Sequence, residues 1–282
     1  MVRRKKEIAV VPVLNIRKGE GRELDDHVIV EEPLEIRVRP YDSDLAEGIS
    51  VAVTMRTPGD DVALALGFLF SENVIEKVGQ VLEVTHLEDA DGTLQTNVVE
   101  VRLAPGIAFN THHLSRHVFT SSSCGICGKT TIDEITARVE WDPQARGPVP
   151  VRILQQLPER LAAAQTLFAQ TGGLHGSALF DLQGQLVAAC EDVGRHNALD
   201  KLVGTLMQQG GIPARDRILM LSGRIGFELV QKAVCAGIPI IAAIGAPTSL
   251  AIELANRFGT TLIGFLKGER FNIYVGDQRV EL

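Results

Sequence analysis

Cys124 and Cys127 stand three positions apart in the run Ser121-Ser122-Ser123-Cys124-Gly125-Ile126-Cys127-Gly128-Lys129. A C-x-x-C pair has three chemical uses: half of a tetrahedral metal site, a dithiol that cycles with a disulfide, or a reactive thiolate. A structural zinc site needs two further ligands. The sequence has no second C-x-x-C, so the candidates are the distant His112, His113, His117, His175 and His196. Thioredoxin-like use expects a strand-to-helix turn in an early βαβ unit with aromatic flanks. This pair lies mid-chain with no aromatic beside it. The thiolate use has more support. Ser and Gly let the loop backbone approach a partner closely, and the loop runs into a helical pattern over Thr131–Val139. A helix N-terminus and the charge of Lys129 both favour thiolate over thiol. A thiolate can carry an extra sulfur as a persulfide, and a neighbouring thiol can release that sulfur or help hold the acceptor. Cys190 follows Val187-Ala188-Ala189 and Cys235 follows Ala233-Val234, so both read as small buried apolar residues.

Two other runs are dense in chemistry. Glu191-Asp192-Val193-Gly194-Arg195-His196-Asn197-Ala198-Leu199-Asp200-Lys201 reads either as a solvated helix start capped near Asn197 or as a ligand loop between a strand and a helix. The second reading fits better, because α/β folds bind ligands at the carboxyl ends of their strands. Thr171-Gly172-Gly173-Leu174-His175-Gly176-Ser177 combines glycines that admit close approach with a histidine that can donate, accept or titrate. Ser222-Gly223-Arg224 and Ala246-Pro247-Thr248-Ser249 also end strands. Three strand ends therefore converge on one side of the expected sheet, and Arg195, Arg224 and Lys232 would give that side a phosphate-binding character. No P-loop and no Gly-x-Gly-x-x-Gly fingerprint is present.

The elements that must position these residues fall into two parts. Val28–Val30, Leu34–Val38, Ser50–Met55 and Gln95–Leu103 read as strands, and a turn at Thr57–Asp61 opens a helix through Phe70. Ile107–Thr120 reads as a loop, and Pro143, Gly147, Pro148 and Pro150 as a connector. From Arg152 the pattern becomes a helix over 152–169, then a hairpin of Ser177–Phe180 with Leu186–Cys190 around Asp181–Gly184. Helix and strand then alternate: helix 197–208, strand 218–221, helix 227–236, strand 238–244, helix 249–258, and strands 261–265 and 271–275. The expected fold is α/β with a partly parallel sheet. It consists of a small strand-rich α+β domain with an N-terminal arm over 1–120, then the cysteine loop and an α/β domain over 121–282.

Composition narrows the function. The chain has 282 residues, 45% of them hydrophobic and 22% charged, as in a globular protein with a sizeable core. Its net charge of -7 argues against general nucleic-acid binding, though a local cation cluster can still hold an anion. Basic Met1–Lys6 precedes Ile8–Leu14, which is short, contains Pro12 and reads as an edge strand or loose arm rather than a signal peptide. No apolar run approaches the roughly 20 residues that span a bilayer. The expectation is a soluble, cytoplasmic protein with no membrane contact.

Taken together and in order, these motifs resemble one family, the FdhD/NarQ formate dehydrogenase accessory sulfurtransferases. Glu32-Pro33-Leu34, Thr57-Pro58-Gly59-Asp60, Leu66-Gly67-Phe68-Leu69 and the run Ser123–Lys129 carry the resemblance in the first half. Thr171–His175, Glu191–Lys201, Ser222-Gly223-Arg224 and Ala246-Pro247-Thr248 carry it in the second. The resemblance implies a cytidine-deaminase-like α/β fold and a homodimer. It implies a sulfurtransferase that accepts sulfur from a cysteine desulfurase as a persulfide on Cys124, with Cys127 auxiliary. The acceptor would be the molybdenum bis(molybdopterin guanine dinucleotide) cofactor, later inserted into formate dehydrogenase, with no permanently bound metal. The cofactor-binding segment would be Phe265, Leu266, Lys267, Gly268, Glu269 and Arg270, joined by His175, Arg195, His196 and Arg224. Deaminase chemistry itself is not expected, because His175 is followed by Gly176-Ser177 where H-x-E is required and the C-x-x-C lacks a leading proline. A non-catalytic cofactor-binding chaperone is the alternative, in which the basic strand ends matter and the thiols do not.

Overall fold

The structure is a computed structural model and describes residues 3–4, 7–43, 47–88, 92–107, 109 and 148–282. The cysteine loop, the three histidines before it and the helical pattern over 131–139 lie outside the described residues.

The chain opens with β1 (Arg3–Arg4), β2 (Ile8–Arg17) and β3 (Glu20–Ile29), which form an antiparallel three-stranded sheet. The expected arm is therefore a long hairpin, turning at Lys18-Gly19. Most of β3 is exposed, so it lacks the alternation that marks a half-buried strand. Next come β4 (Glu32–Arg39), β5 (Ile49–Arg56), α1 (Asp61–Ser71), β6 (Val81–Glu88) and β7 (Leu94–Leu103). Their sheet has the order β5-β4-β7-β6, with β4 and β7 parallel. Leu34, Ile36 and Val38 alternate inward along β4 and are fully buried.

After β8 (Val149–Pro150), α2 spans Val151–Ala164 and buries Leu154, Leu157 and Leu161, the i, i+3, i+7 stripe of an amphipathic helix. A short helix, α3 (Phe168–Thr171), leads into the larger sheet. The remaining elements are β9 (His175–Asp181), β10 (Leu186–Asp192), α4 (Arg195–Gln208), β11 (Arg217–Leu221), α5 (Phe227–Cys235), β12 (Ile240–Ala243), α6 (Ser249–Arg257), β13 (Thr261–Lys267), β14 (Arg270–Val275) and β15 (Val280–Glu281). The six strands β10-β9-β11-β12-β13-β14 form one mixed sheet. β11, β12 and β13 run parallel through helical crossovers, and the outer pairs are antiparallel. The α/β expectation from the strand–helix alternation is thus met in a mixed sheet.

One apolar cluster runs from the four-stranded sheet through α1 and α4 to one face of the six-stranded sheet. A second lies between the other face and α2. The first depends on two glycines. A Cβ on Gly67 of α1 would lie 1.9 Å from the Asp200 carbonyl oxygen, and one on Gly204 of α4 would lie 1.9 Å from that of Ala63. The helices therefore meet backbone to backbone, closer than the usual ~8–10 Å between axes. Gly204→Ala should lower unfolding free energy by about 3 kcal/mol or more, because overpacking outweighs the ~1 kcal/mol gain in helix propensity. Urea denaturation checks this, and a stability equal to or above that of the parent would refute the backbone contact.

Candidate functional site

Strand register gathers the sequence-flagged residues on one edge. Asp192 at the end of β10 pairs with His175 at the start of β9, and Leu221 at the end of β11 pairs with Ser177. Ala243 at the end of β12 lies beside Leu221. The residues after these ends, Arg195-His196, Ser222-Gly223-Arg224 and Ala246-Pro247-Thr248, therefore emerge together with His175. Backbone bonds tie the loops laterally: Ser222 N donates to Gly176 O at 3.0 Å, Gly245 N to Gly223 O at 3.1 Å, and Phe265 N to Gly245 O at 3.0 Å. The last bond draws the β13–β14 hairpin to the same edge. Phe265 takes a left-handed φ of 55° at a register shift and is 43% exposed. Lys267, Gly268, Glu269 and Arg270 are exposed at the tip, whereas Leu266 is buried in the second core cluster and anchors the hairpin.

The dense run Glu191–Lys201 divides between scaffold and site. Fully buried Asp192 pairs with Lys201 at 2.8 Å and accepts from Thr57 N, Gly194 N and the Asn197 Nδ2. Lys201 Nζ also donates to Thr57 O at 2.9 Å, and Asn197 donates to Met55 O. These bonds fasten the end of β5 to the start of α4. Glu191 accepts from the backbone N–H groups of Leu167 and Phe168 and so fixes the entry to α3. Lys232 does not join the cation edge. It is buried, and its ammonium binds both oxygens of Asp200 at 2.8 and 2.9 Å, which overturns its expected phosphate-binding part. A lysine on a buried helix face needs such a partner to keep its charge.

Arg195 and His196 are half-buried and Arg224 is exposed. His196 Nε2 meets Glu228 Oε2 at 2.9 Å. That hydrogen bond holds the Glu228 carboxyl below its ordinary range despite partial burial, with help from the nearby His196, Lys232 and Arg195 charges. Glu228 was not singled out from the sequence: an acid in the first turn of a helix reads as a dipole effect alone. His175 lies beside Gly223, where a Cβ would stand 3.2 Å from its Nδ1. Burial, then the charges of Arg195 and His196, push its pKa down, while Asp192 opposes them. The edge thus combines a ring biased toward neutrality with two guanidiniums and a second imidazole, a donor set suited to a phosphorylated or otherwise anionic ligand. Among the described residues, no group of three or more His, Cys, Asp or Glu is placed to hold a metal, and no helix is long and apolar enough to cross a membrane. Cys124 and Cys127 lie outside the described residues.

This architecture defines a mixed α/β protein whose candidate ligand edge is built from strand ends and the β13–β14 hairpin. Residues 29–281 match the model of the FdhD/NarQ family, and the chain belongs to that family. It is 47% identical over 274 residues to "Sulfur carrier protein FdhD" of Streptomyces avermitilis, covering 96% of this chain and 94% of that protein. The protein of the same name from Sulfolobus acidocaldarius is 41% identical over 276 residues, covering 98% and 100%. A crystal structure of a formate dehydrogenase accessory protein from Desulfotalea psychrophila superposes with a TM-score of 0.71 at 25% identity, covering 98% of this chain and all of that one.

The histidine at the centre of the edge gives a signed expectation. Because folding depresses the His175 pKa, the unfolded chain binds more protons between that value and the ordinary value of about 6.5, and stability rises with pH across that window. Urea unfolding at about pH 7.5 and 5.5 should therefore show lower stability at the lower pH, with a smaller loss in His175→Asn. A larger loss in the variant would reverse the sign.

Proposed function

We propose that this chain is a cytoplasmic sulfur carrier that takes sulfur from a cysteine desulfurase on Cys124. It passes the sulfur to the molybdenum bis(molybdopterin guanine dinucleotide) cofactor before that cofactor enters formate dehydrogenase. The observation that carries the reading is the convergence of His175, Arg195, His196, Arg224 and the 265–270 hairpin on one sheet edge. Family membership and relatives named sulfur carriers support the sulfur role. The accessory-protein neighbour supports the link to formate dehydrogenase.

The chemistry balances with Cys124 and Cys127 of this chain and, from outside it, a desulfurase persulfide and a cellular dithiol. The Cys124 thiolate attacks the outer sulfur of the desulfurase persulfide. The donor S–S bond breaks, its electron pair leaves on the desulfurase cysteine, and Cys124 holds the new persulfide. For delivery, the Cys127 thiolate attacks Cys124 Sγ, hydrosulfide leaves toward the acceptor, and a Cys124–Cys127 disulfide remains for a cellular dithiol to reduce. The acceptor is substrate, not resident cofactor. Arg195, Arg224, Lys267 and Arg270 supply charge-assisted donors for its phosphates, and Arg forks suit phosphate in particular. The exposed Phe265 ring offers an apolar face for a heterocycle beside them.

Intact-mass measurement after incubation with a desulfurase and cysteine should show a reductant-sensitive gain of one sulfur that Cys124→Ala loses. Cys124→Ala should also abolish formate dehydrogenase maturation while its unfolding midpoint stays unchanged. Normal maturation by the Cys124→Ala, Cys127→Ala double variant, with cofactor binding retained, would replace this reading by a non-catalytic chaperone.

A further inference from the structure

Glu228 is a carboxylate on an edge whose other groups suit an anion. It lies in the first turn of α5, and His196 lies in the first turn of α4. The 2.9 Å contact between Glu228 Oε2 and His196 Nε2 therefore joins the element after β10 to the element after β11. Arg195 precedes His196, and Arg224 stands in the loop that leads into α5. By Coulomb's law alone the carboxylate would repel the ligand that those arginines attract. The helix dipole favours an acid in a first turn, but it does so at any helix start and needs no histidine partner.

The ring that Glu228 holds supplies the reason. The His196 hydrogen bond, then the charges of His196, Lys232 and Arg195, keep Glu228 ionised despite its partial burial. An ionised carboxylate only accepts hydrogen bonds, so His196 Nε2 must carry a proton. Nδ1 has no hydrogen-bond partner among the described residues. The ring is 24% exposed. It stands between Glu228, which it bonds, and His175, whose pKa is lowered by burial, then by Arg195, then by this ring. The other charged groups around the pair are engaged, Asp192 with Lys201 and Lys232 with Asp200. With Nε2–H committed to Glu228, a neutral ring offers a bare lone pair at Nδ1, which repels a phosphate oxygen. Only the imidazolium offers an N–H there.

We propose that Glu228 is a positioning residue of this edge: it fixes His196 Nε2 as a donor, so that Nδ1 meets the ligand and a phosphate there binds the ring as imidazolium. The inference rests on the reading of the edge as the place of a phosphate-bearing substrate. It ties phosphate binding to the protonation of one ring. A glutamine at 228 would break that tie, because a carboxamide can donate to a bare Nε2 and leave a neutral ring with its proton on Nδ1.

The test is calorimetric titration of the full-length chain with GDP and with pyrophosphate, from about pH 7 to 8.5, above the second phosphate ionisation near 6. The proteins are the parent, Glu228→Gln, His196→Gln, the double variant and Arg195→Ala, each checked by thermal unfolding. Parent affinity should fall with rising pH, by up to about tenfold per unit, whereas Glu228→Gln should hold within about twofold across the range. His196→Gln should flatten the profile equally, and adding Glu228→Gln to it should change affinity less than about twofold. Arg195→Ala should weaken both ligands and keep the parent's slope. Ring ¹⁵N spectra of the parent–GDP complex should show both His196 nitrogens protonated at about pH 8.5, two units above the ordinary histidine value of about 6.5. That measurement needs no variant. A complex with either nitrogen bare overturns the proposal, as does a pH slope equal in parent and Glu228→Gln, and both leave the reading of the edge standing. Simple repulsion by Glu228 would instead tighten binding in Glu228→Gln with the slope unchanged. If the parent protein binds neither ligand, or binds them indifferently to Arg195→Ala, the reading of the edge falls and takes this inference with it.

Discussion

The contact of α1 with α4 through Gly67 and Gly204 sets the geometry on which the site depends. Packing through side chains would hold the two helices further apart. At backbone contact, α4 lies close enough to the four-stranded sheet for Asn197 to reach the Met55 carbonyl and for Lys201 to reach that of Thr57. Asp192 completes the arrangement from the end of β10, accepting from Thr57 and pairing with Lys201. The charges are fully buried, so their desolvation cost is offset only because nearly every lone pair and proton finds a partner. The start of α4, with Arg195 and His196 on it, is thereby fixed relative to both sheets.

The same logic separates structural from ligand-facing charge. Lys232 and Asp200 neutralise each other behind the edge, with Ser71 donating to the same carboxylate and the Phe68 ring 5.9 Å from the ammonium. Lys201 and Asp192 do likewise. What remains at the edge is Arg195, His196 and Arg224, partly or fully exposed, with Glu228 holding one of the imidazoles. The cations left at the edge would suit an anion, because Lys201 and Lys232 behind it are already paired. His175 follows from that arrangement. Set among positive groups and partly buried, it has reason to stay neutral, which leaves one ring nitrogen able to accept a hydrogen bond.

Much of this was legible in the residues. Alternating apolar strands and helices after position 176 announced a partly parallel sheet, and the strand ends marked by His175, Arg195, Ser222-Gly223-Arg224 and Ala246-Pro247-Thr248 do share an edge. Less legible were elements whose signal depends on tertiary context. The exposed β3 carries charges on both faces, and β6 is mostly uncovered, so neither shows a buried period. Lys232 looked like a ligand cation because one-dimensional spacing cannot show that Asp200 stands 2.8 Å away across two helices. Leu266 reads the same as its neighbours in a flagged segment, but the left-handed turn at Phe265 sends it inward and its neighbours outward. Glu228 gave no signal of its own, because its partner His196 comes from the start of a different helix.

The distribution of these features bears on how sulfur delivery would be organised. A persulfide is reactive toward any thiol and toward water-borne oxidants, so its carrier gains by exposing it only where the acceptor is already bound. In this chain the proposed acceptor edge is tied on several sides. Paired strands, lateral loop bonds and buried ion pairs hold it, so little ordering cost falls on ligand binding. The thiols come from a separate stretch of sequence, joined to this scaffold on one side through β7 and on the other through β8. On the proposed reading, binding and chemistry are encoded in different segments. A substitution at the edge would then change which acceptor is held, and one at Cys124 whether sulfur is carried. On that reading Gly67, Gly204 and Asp192, which have no chemistry of their own, would still bear on transfer, because they hold the edge in place.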